Sequence, residues 1–200
     1  MANPAMAREE NYVLTLEEIG NLTQEGGKPA ETLMNVVALI ARRFQTDVCS
    51  AYLLEPDRAN LVLAATLGLR PECVGTLRMA IHEGLAGLVA EQVRPIAVEE
   101  VERHPRFKYF REAGEEAYKS FLGVPLIDQG VLQGVLVVQT IESRLFLEDE
   151  IRMLVDAAAQ VAPPRRTSHP PAAGARCRRH RRSRQATRGS RSRSRSDARS

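Results

Sequence analysis

Five groups of residues between positions 78 and 137 have the types and spacing to hold a small charged molecule. Arg78, on a predicted short strand, carries a planar guanidinium that can meet a carboxylate through two parallel hydrogen bonds. Gly84 and Leu85 open a predicted helix whose first N–H groups lack intrahelical partners and favour an anion. Glu99 and Glu102, beyond the next strand, supply carboxylates for a cationic group. Phe107, Tyr109 and Phe110 can roof a cavity, and Phe121 and Val137 can floor it. Such a set recognises a ligand. It does not make or break bonds.

Other constellations lack the rest of their motif. Gly84-x-x-Gly87 is not followed by the Lys-Ser/Thr of a phosphate-cradling loop and reads as a tight turn into a helix. Gly130 and Gly134 have no dinucleotide-binding context and read as turn and close-packing residues. Glu99-Glu100, Glu102 and Glu115-Glu116 come without the Asp/Asn-Gly scaffold of a calcium loop and read as solvated faces. His82 and His104 stand apart from any Cys or Asp pattern, so no metal site is expected. Cys49, Cys73 and Cys177 are sparse, odd in number and without a CxxC, which suits a reducing compartment. No elbow motif surrounds a Ser or Cys. Neither a catalytic residue nor a cofactor is expected.

The elements that must position the five groups follow from periodicity. Phe121–Ile127 and Val131–Thr140 are apolar at nearly every residue and flank the hairpin break Asp128-Gln129-Gly130. Both faces of their sheet must therefore be covered. Upstream, a first helix is predicted at Leu14–Gln24, with Thr15 and Glu18 at capping-box spacing and Gly26-Gly27 as its stop. A second runs from Pro29 to Gln45 on the stripe Leu33, Val36, Val37, Ile40 and Phe44. Strands follow at Val48–Glu55, Asn60–Leu67, Thr76–Ile81 and Arg94–Val98, with a short helix at Gly84–Gln92 before the fourth. Glu99–Lys119 is a polar and aromatic excursion of the kind that walls a site. A last helix starts at Leu147, with Glu148, Asp149 and Glu150 in its anion-favouring first turn, and stops at Pro163-Pro164. The order predicts an α+β domain around a mostly antiparallel sheet of about six strands. The terminal helices and the second helix pack on one face, and a ligand pocket lies on the other.

Charge divides the chain sharply. Pro163–Ser200 holds 13 Arg and one Asp, a net +12, while Met1–Ala162 carries −9. The basic segment has no Leu, Ile, Val, Phe or Tyr, so burial cannot offset its ordering entropy and it is expected to be disordered. Three regions result: an N-terminal segment 1–29, a domain 30–162 and an Arg/Ser-rich tail 163–200. The tail reads either as a polyanion-binding, nucleic-acid-binding segment or as the product of a shifted reading frame, which its abrupt onset favours. MANPAMAREENYV is not a signal peptide and no apolar run is long enough to span a membrane, so a cytoplasmic location without membrane contact is expected.

Ala51-Tyr52-Leu53-Leu54, Glu83-Gly84-Leu85-Ala86-Gly87-Leu88-Val89, Arg94–Val98, His104-Pro105-Arg106-Phe107 and Ser120–Gln139 together resemble a GAF domain, a small-molecule sensor fold. The resemblance covers 30–162. More narrowly, Arg42–Asp47 and Val124–Asp128 are similar to the N-terminal sensor domain of Enzyme I of the nitrogen-related phosphotransferase system, a family of phosphoenolpyruvate–protein phosphotransferases. That resemblance implies a regulatory domain responding to glutamine or 2-oxoglutarate. A zwitterionic ligand would place its carboxylate on Arg78 or the Gly84 turn and its ammonium on Glu99 or Glu102. The phosphohistidine domain and phosphoenolpyruvate-binding barrel of that family have no counterpart in these 200 residues, so no phosphate transfer is expected. The competing expectation is a ligand-free dimerisation module, a homodimer through its terminal helices.

Overall fold

Pro29 fixes the first turn of a 16-residue helix, Pro29–Phe44, and Gln45 closes it in the left-handed conformation with its N–H bonded back to Ala41 and Arg42. This is α2; a preceding helix over 16–23 is α1. The computed structural model describes residues 16–23, 28–110 and 118–163. Thr15, Gly26-Gly27, Glu115-Glu116 and the Arg/Ser tail beyond Pro163 lie outside the described residues.

Six strands follow the predicted order: β1 (Val48–Leu54), β2 (Asn60–Leu67), β3 (Arg78–Ala80), β4 (Ile96–Val98), β5 (Ser120–Asp128) and β6 (Val131–Thr140). They form one wholly antiparallel sheet, ordered β3-β2-β1-β6-β5-β4. β5 and β6 turn at Gln129 and Gly130, both at positive φ, as a two-residue hairpin requires. β3 and β4 are shorter than their apolar patterns suggest. Leu77 is drawn into the bend after a short 3₁₀ turn at Pro71–Cys73, its N–H bonded to Cys73. Arg94-Pro95 is used up in leaving helix α3 (Gly84–Gln92), which Val93 ends at φ 49°.

Strand alternation gives each face its own core. Leu122, Val124 and Leu126 of β5, with Leu136 and Val138 of β6, pack against Val36, Val37 and Ile40 of α2 and Leu154, Ala157 and Ala158 of α4 (Glu148–Val161). α1 adds Ile19, fully buried, and an Arg43–Glu18 ion pair at 2.9 Å. Phe121, Val135 and Val137 point the other way, toward α3 and β2. α3 reaches the sheet because Gly123 has no side chain: a Cβ there would lie 2.8 Å from Val89 and 2.7 Å from the Phe121 ring. The second face is thus closed by a helix and by residues 104–110, rather than by loops alone.

Arg144 fastens the two outer helices together. Its guanidinium donates to the Phe44 carbonyl at 2.7 Å, pairs with Glu150 and lies over the Phe146 ring, while its N–H donates to Ser120 Oγ at 2.6 Å. Glu150 also accepts the Leu147 N–H at 2.9 Å, so one carboxylate caps α4 and holds Arg144. Among the described residues, no helix is long and apolar enough to cross a membrane.

Candidate functional site

The turn into α3 is the polar centre of the second face. Gly84 adopts φ +65°, a conformation that a side chain resists, and the space where its Cβ would stand is 3.5 Å from Phe110. Glu83, just before it, accepts the Ala80 N–H at 3.1 Å on one carboxylate oxygen and pairs with Lys108 through the other. The Lys108 ammonium, followed by the Ala80 N–H, holds the Glu83 carboxyl below its ordinary value of 4.5, against a small opposing effect of burial. Lys108 also lies 5.2 Å from the centroid of the Phe110 ring.

Residues 104–110 pass over this turn as a cap. Arg106 reaches both ends of α3, pairing with Glu91 at 3.0 Å and donating to the His82 carbonyl. A tight turn at His104 orients it: the Phe107 N–H meets the His104 carbonyl and the Arg106 N–H meets His104 Nδ1. Beneath the cap lies a cavity of about 40 Å³. Phe107, Lys108 and Phe110 form its roof, Leu85 and Ala86 of α3 one wall, and Met79 and Val101 the ends. Tyr52, Phe121, Val137 and Gln139 form the sheet-side floor.

This arrangement corrects the predicted site in several places. Phe107, Phe110, Phe121, Val137 and Leu85 do come together around the cavity, with Gly84 at its edge. Arg78 does not. It neighbours Met79 on β3, and alternation turns Met79 inward and leaves Arg78 exposed, paired with Glu55 at 3.1 Å. Glu99 and Glu102 are also exposed; Val101 between them is the residue that turns in. Glu99 contributes its carbonyl, which accepts from Ser120 Oγ at 2.8 Å. Tyr109 is half exposed and stands outside the lining.

The cavity is also not the open hollow that was expected. About 40 Å³ exceeds one water's share of liquid volume, roughly 30 Å³. It is far below the roughly 300–1,000 Å³ of ligand pockets. The chain's own aromatic side chains close the space. Lys108 and Gln139 are the polar groups that sequence reasoning missed. Lys108 sits in an aperiodic excursion, and Gln139 is one polar residue at the end of an apolar strand. A wider concavity of about 540 Å³ lies on the opposite face, between α1 and α2, lined by Glu18, Asn21, Leu22, Asn35, Leu39 and Arg42. It is an open groove without an enclosed floor.

Cys49 is sealed inside the helical-face core, where burial pushes its thiol well above the ordinary range and away from thiolate chemistry. Among the described residues no three His, Cys, Asp or Glu side chains converge as a metal site would need.

The family model for the GAF domain matches residues 28–163. A phosphoenolpyruvate-dependent phosphotransferase system protein of Escherichia coli (strain K12) is 40% identical over 147 residues, covering 74% of this chain and 20% of that protein. A Nif-specific regulatory protein of Azospirillum brasilense is 28% identical over 132 residues, covering 64% and 21%. Among solved structures, the GAF domain of a phosphoenolpyruvate-protein phosphotransferase from Coxiella burnetii superposes with a TM-score of 0.73 at 36% identity, covering 80% of this chain and 93% of that one. The chain spans about a fifth of the length of the curated relatives it matches.

Proposed function

We propose that this chain, which belongs to the GAF domain family, is a regulatory sensor whose input is a small nitrogen metabolite, glutamine or 2-oxoglutarate, bound beneath residues 104–110. The observation that carries this reading is how the cap is fastened. Phe107 and Tyr109 are 39% and 50% exposed, and the cap is tied down by the Lys108–Glu83 and Arg106–Glu91 ion pairs, one hydrogen bond from Arg106 to the His82 carbonyl and the packing of Phe110. Partly exposed pairs of this kind contribute about 0–1 kcal/mol each. In this reading the cap lifts by giving up these surface ties and the cover of Phe110, while both cores stay folded. Lifting it joins the apolar floor to the space now filled by Phe107 and Phe110, with the Gln139 amide placed to meet a polar end of the ligand.

In this reading the closed form is the ligand-free one. The regulated output is a phosphotransferase of the kind named for the longer relatives. Calorimetry and thermal unfolding of the full chain, with glutamine and 2-oxoglutarate titrated separately, test the input. Saturable heat is expected with one of them, and about 2.7 kcal/mol of stabilisation at a hundredfold excess over Kd. No heat and no thermal shift with either would retire the sensor reading.

The α1–α2 groove favours a second reading, self-association through the terminal helices without a ligand. It predicts a sedimentation coefficient that rises with protein concentration and is unmoved by metabolites.

A further inference from the structure

We propose that the Ser120 hydroxyl is a one-proton switch joining the root of the cap to the tie between α2 and α4, whatever molecule the cavity takes. Ser120 opens β5 and is fully buried, and three chain segments meet on its oxygen. Its O–H donates to the Glu99 carbonyl at 2.8 Å, the Glu142 carbonyl stands 3.4 Å away, and the Arg144 N–H donates to it at 2.6 Å. A serine has one proton to give. With two carbonyls in reach, the hydroxyl bonds one well only at the expense of the other. Ser143 Oγ approaches the Glu99 carbonyl only to 3.5 Å, so Ser120 is the short link between these segments.

The two carbonyls belong to opposite sides of the domain. Glu99 lies two residues before Val101, which lines the end of the cavity, and the chain runs on through a 3₁₀ turn at Val101–Arg103 into the cap. Val101 is itself held by the start of β5, its N–H bonded to the Lys119 carbonyl. Glu142 lies two residues before Arg144, whose guanidinium meets the Phe44 carbonyl and Glu150. With the cap down, the Ser120 proton favours Glu99, and Glu142 is held by Thr140 Oγ1 at 2.8 Å. A cap that lifts draws Glu99 away from Ser120. A buried hydroxyl left without an acceptor is costly, so the proton turns to the Glu142 carbonyl. That turn draws residue 142 toward β5 and shifts the Arg144 N–H resting on the same oxygen. Movement at the cap thereby becomes a change at the first turn of α4.

The test uses Val101→Ala, which loosens the root of the cap while keeping Ser120, Arg144 and α4, and needs no ligand. Carbonyl carbon-13 NMR and native-state hydrogen exchange are read on the full chain. A carbonyl carbon is deshielded when it accepts a hydrogen bond. In Val101→Ala the Glu99 carbonyl should therefore move upfield and the Glu142 carbonyl downfield, the mark of one proton changing acceptor. The Ile151 amide, bonded to the Leu147 carbonyl in the first turn of α4, should exchange about fivefold faster, the scale of one hydrogen bond. In a Ser120→Ala background, adding Val101→Ala should change that amide by less than about twofold. Carbonyls that move in the same direction, or do not move, overturn the inference. So does an Ile151 response that survives in the Ser120→Ala background, which would assign the coupling to the packed cores. The carbonyl shifts are read on proteins that keep Ser120, so they decide the matter even if Ser120→Ala unfolds.

Discussion

Among the described carboxyl groups, Glu83 is one that its surroundings hold low, and it yields a pH prediction. Its carboxyl is held low mainly by Lys108 and next by the Ala80 N–H. A depressed carboxyl contributes stability above its unfolded value, and that contribution is lost as pH falls through the folded value. Wild type and Glu83→Gln should therefore differ by a constant amount in urea unfolding near neutral pH. The difference should shrink below about pH 4.5 and vanish at the acid end. A difference that grows on acidification would contradict the Lys108 pairing. Residue roles were the least legible part of the sequence, and Arg78 shows why. Membership of a strand could be read, but the face depends on register, and a shift of one residue exchanges Arg78 for Met79. Lys108 was invisible for a different reason: its partner is 25 residues away and no periodicity links them.

At the level of elements the sequence was far more transparent, because burial on one or both faces imposes a period that can be counted. α2 and α4 show helical stripes, and β5 and β6 are apolar throughout because two cores press on them. α3 has no stripe: Gly84 through Ala90 are all buried, so its helical nature rested on its glycine start and its length. What fixes α3 in place is the missing side chain at Gly123. Gly123→Val should lift α3 from β5 and cost about 1–3 kcal/mol or more by overpacking, read as a lower urea midpoint. Ligand response should fall with it, since Leu85 and Ala86 wall the cavity. On the other face, Leu154→Ala should cost about 2–5 kcal/mol by leaving a hole between α4 and the sheet. It should leave ligand affinity nearly unchanged. Equal loss of affinity in both variants would show that the two cores do not act independently.

Across the whole domain, one sheet separates the cap and α3 from α2 and α4, and β6 belongs to both sides. Val137 and Gln139 line the cavity, while Leu136 and Val138 on the same strand pack against the helices. Just beyond β6, Arg144 ties the last carbonyl of α2 to Glu150 at the start of α4. A change in the cap therefore meets the outer helices through strands shared by both cores, β6 among them, and through the Arg144 guanidinium. Arg144→Ala removes that tie without touching the cavity. It should cost about 1–3 kcal/mol, the range for hydrogen bonds to a charged group, because the Phe44 carbonyl loses the Arg144 donor and Glu150 keeps only the Leu147 N–H. Amide hydrogen exchange separates the local from the transmitted effect. In wild type, glutamine should slow exchange in 104–110, in α3 and at the first turn of α4. In Arg144→Ala the slowing should persist in the cap and α3, where binding is intact, and disappear from α4. Persistence in α4 would mean that the helices follow the cavity through the packed core of Leu136 and Val138, and that Arg144 holds the fold without carrying the signal.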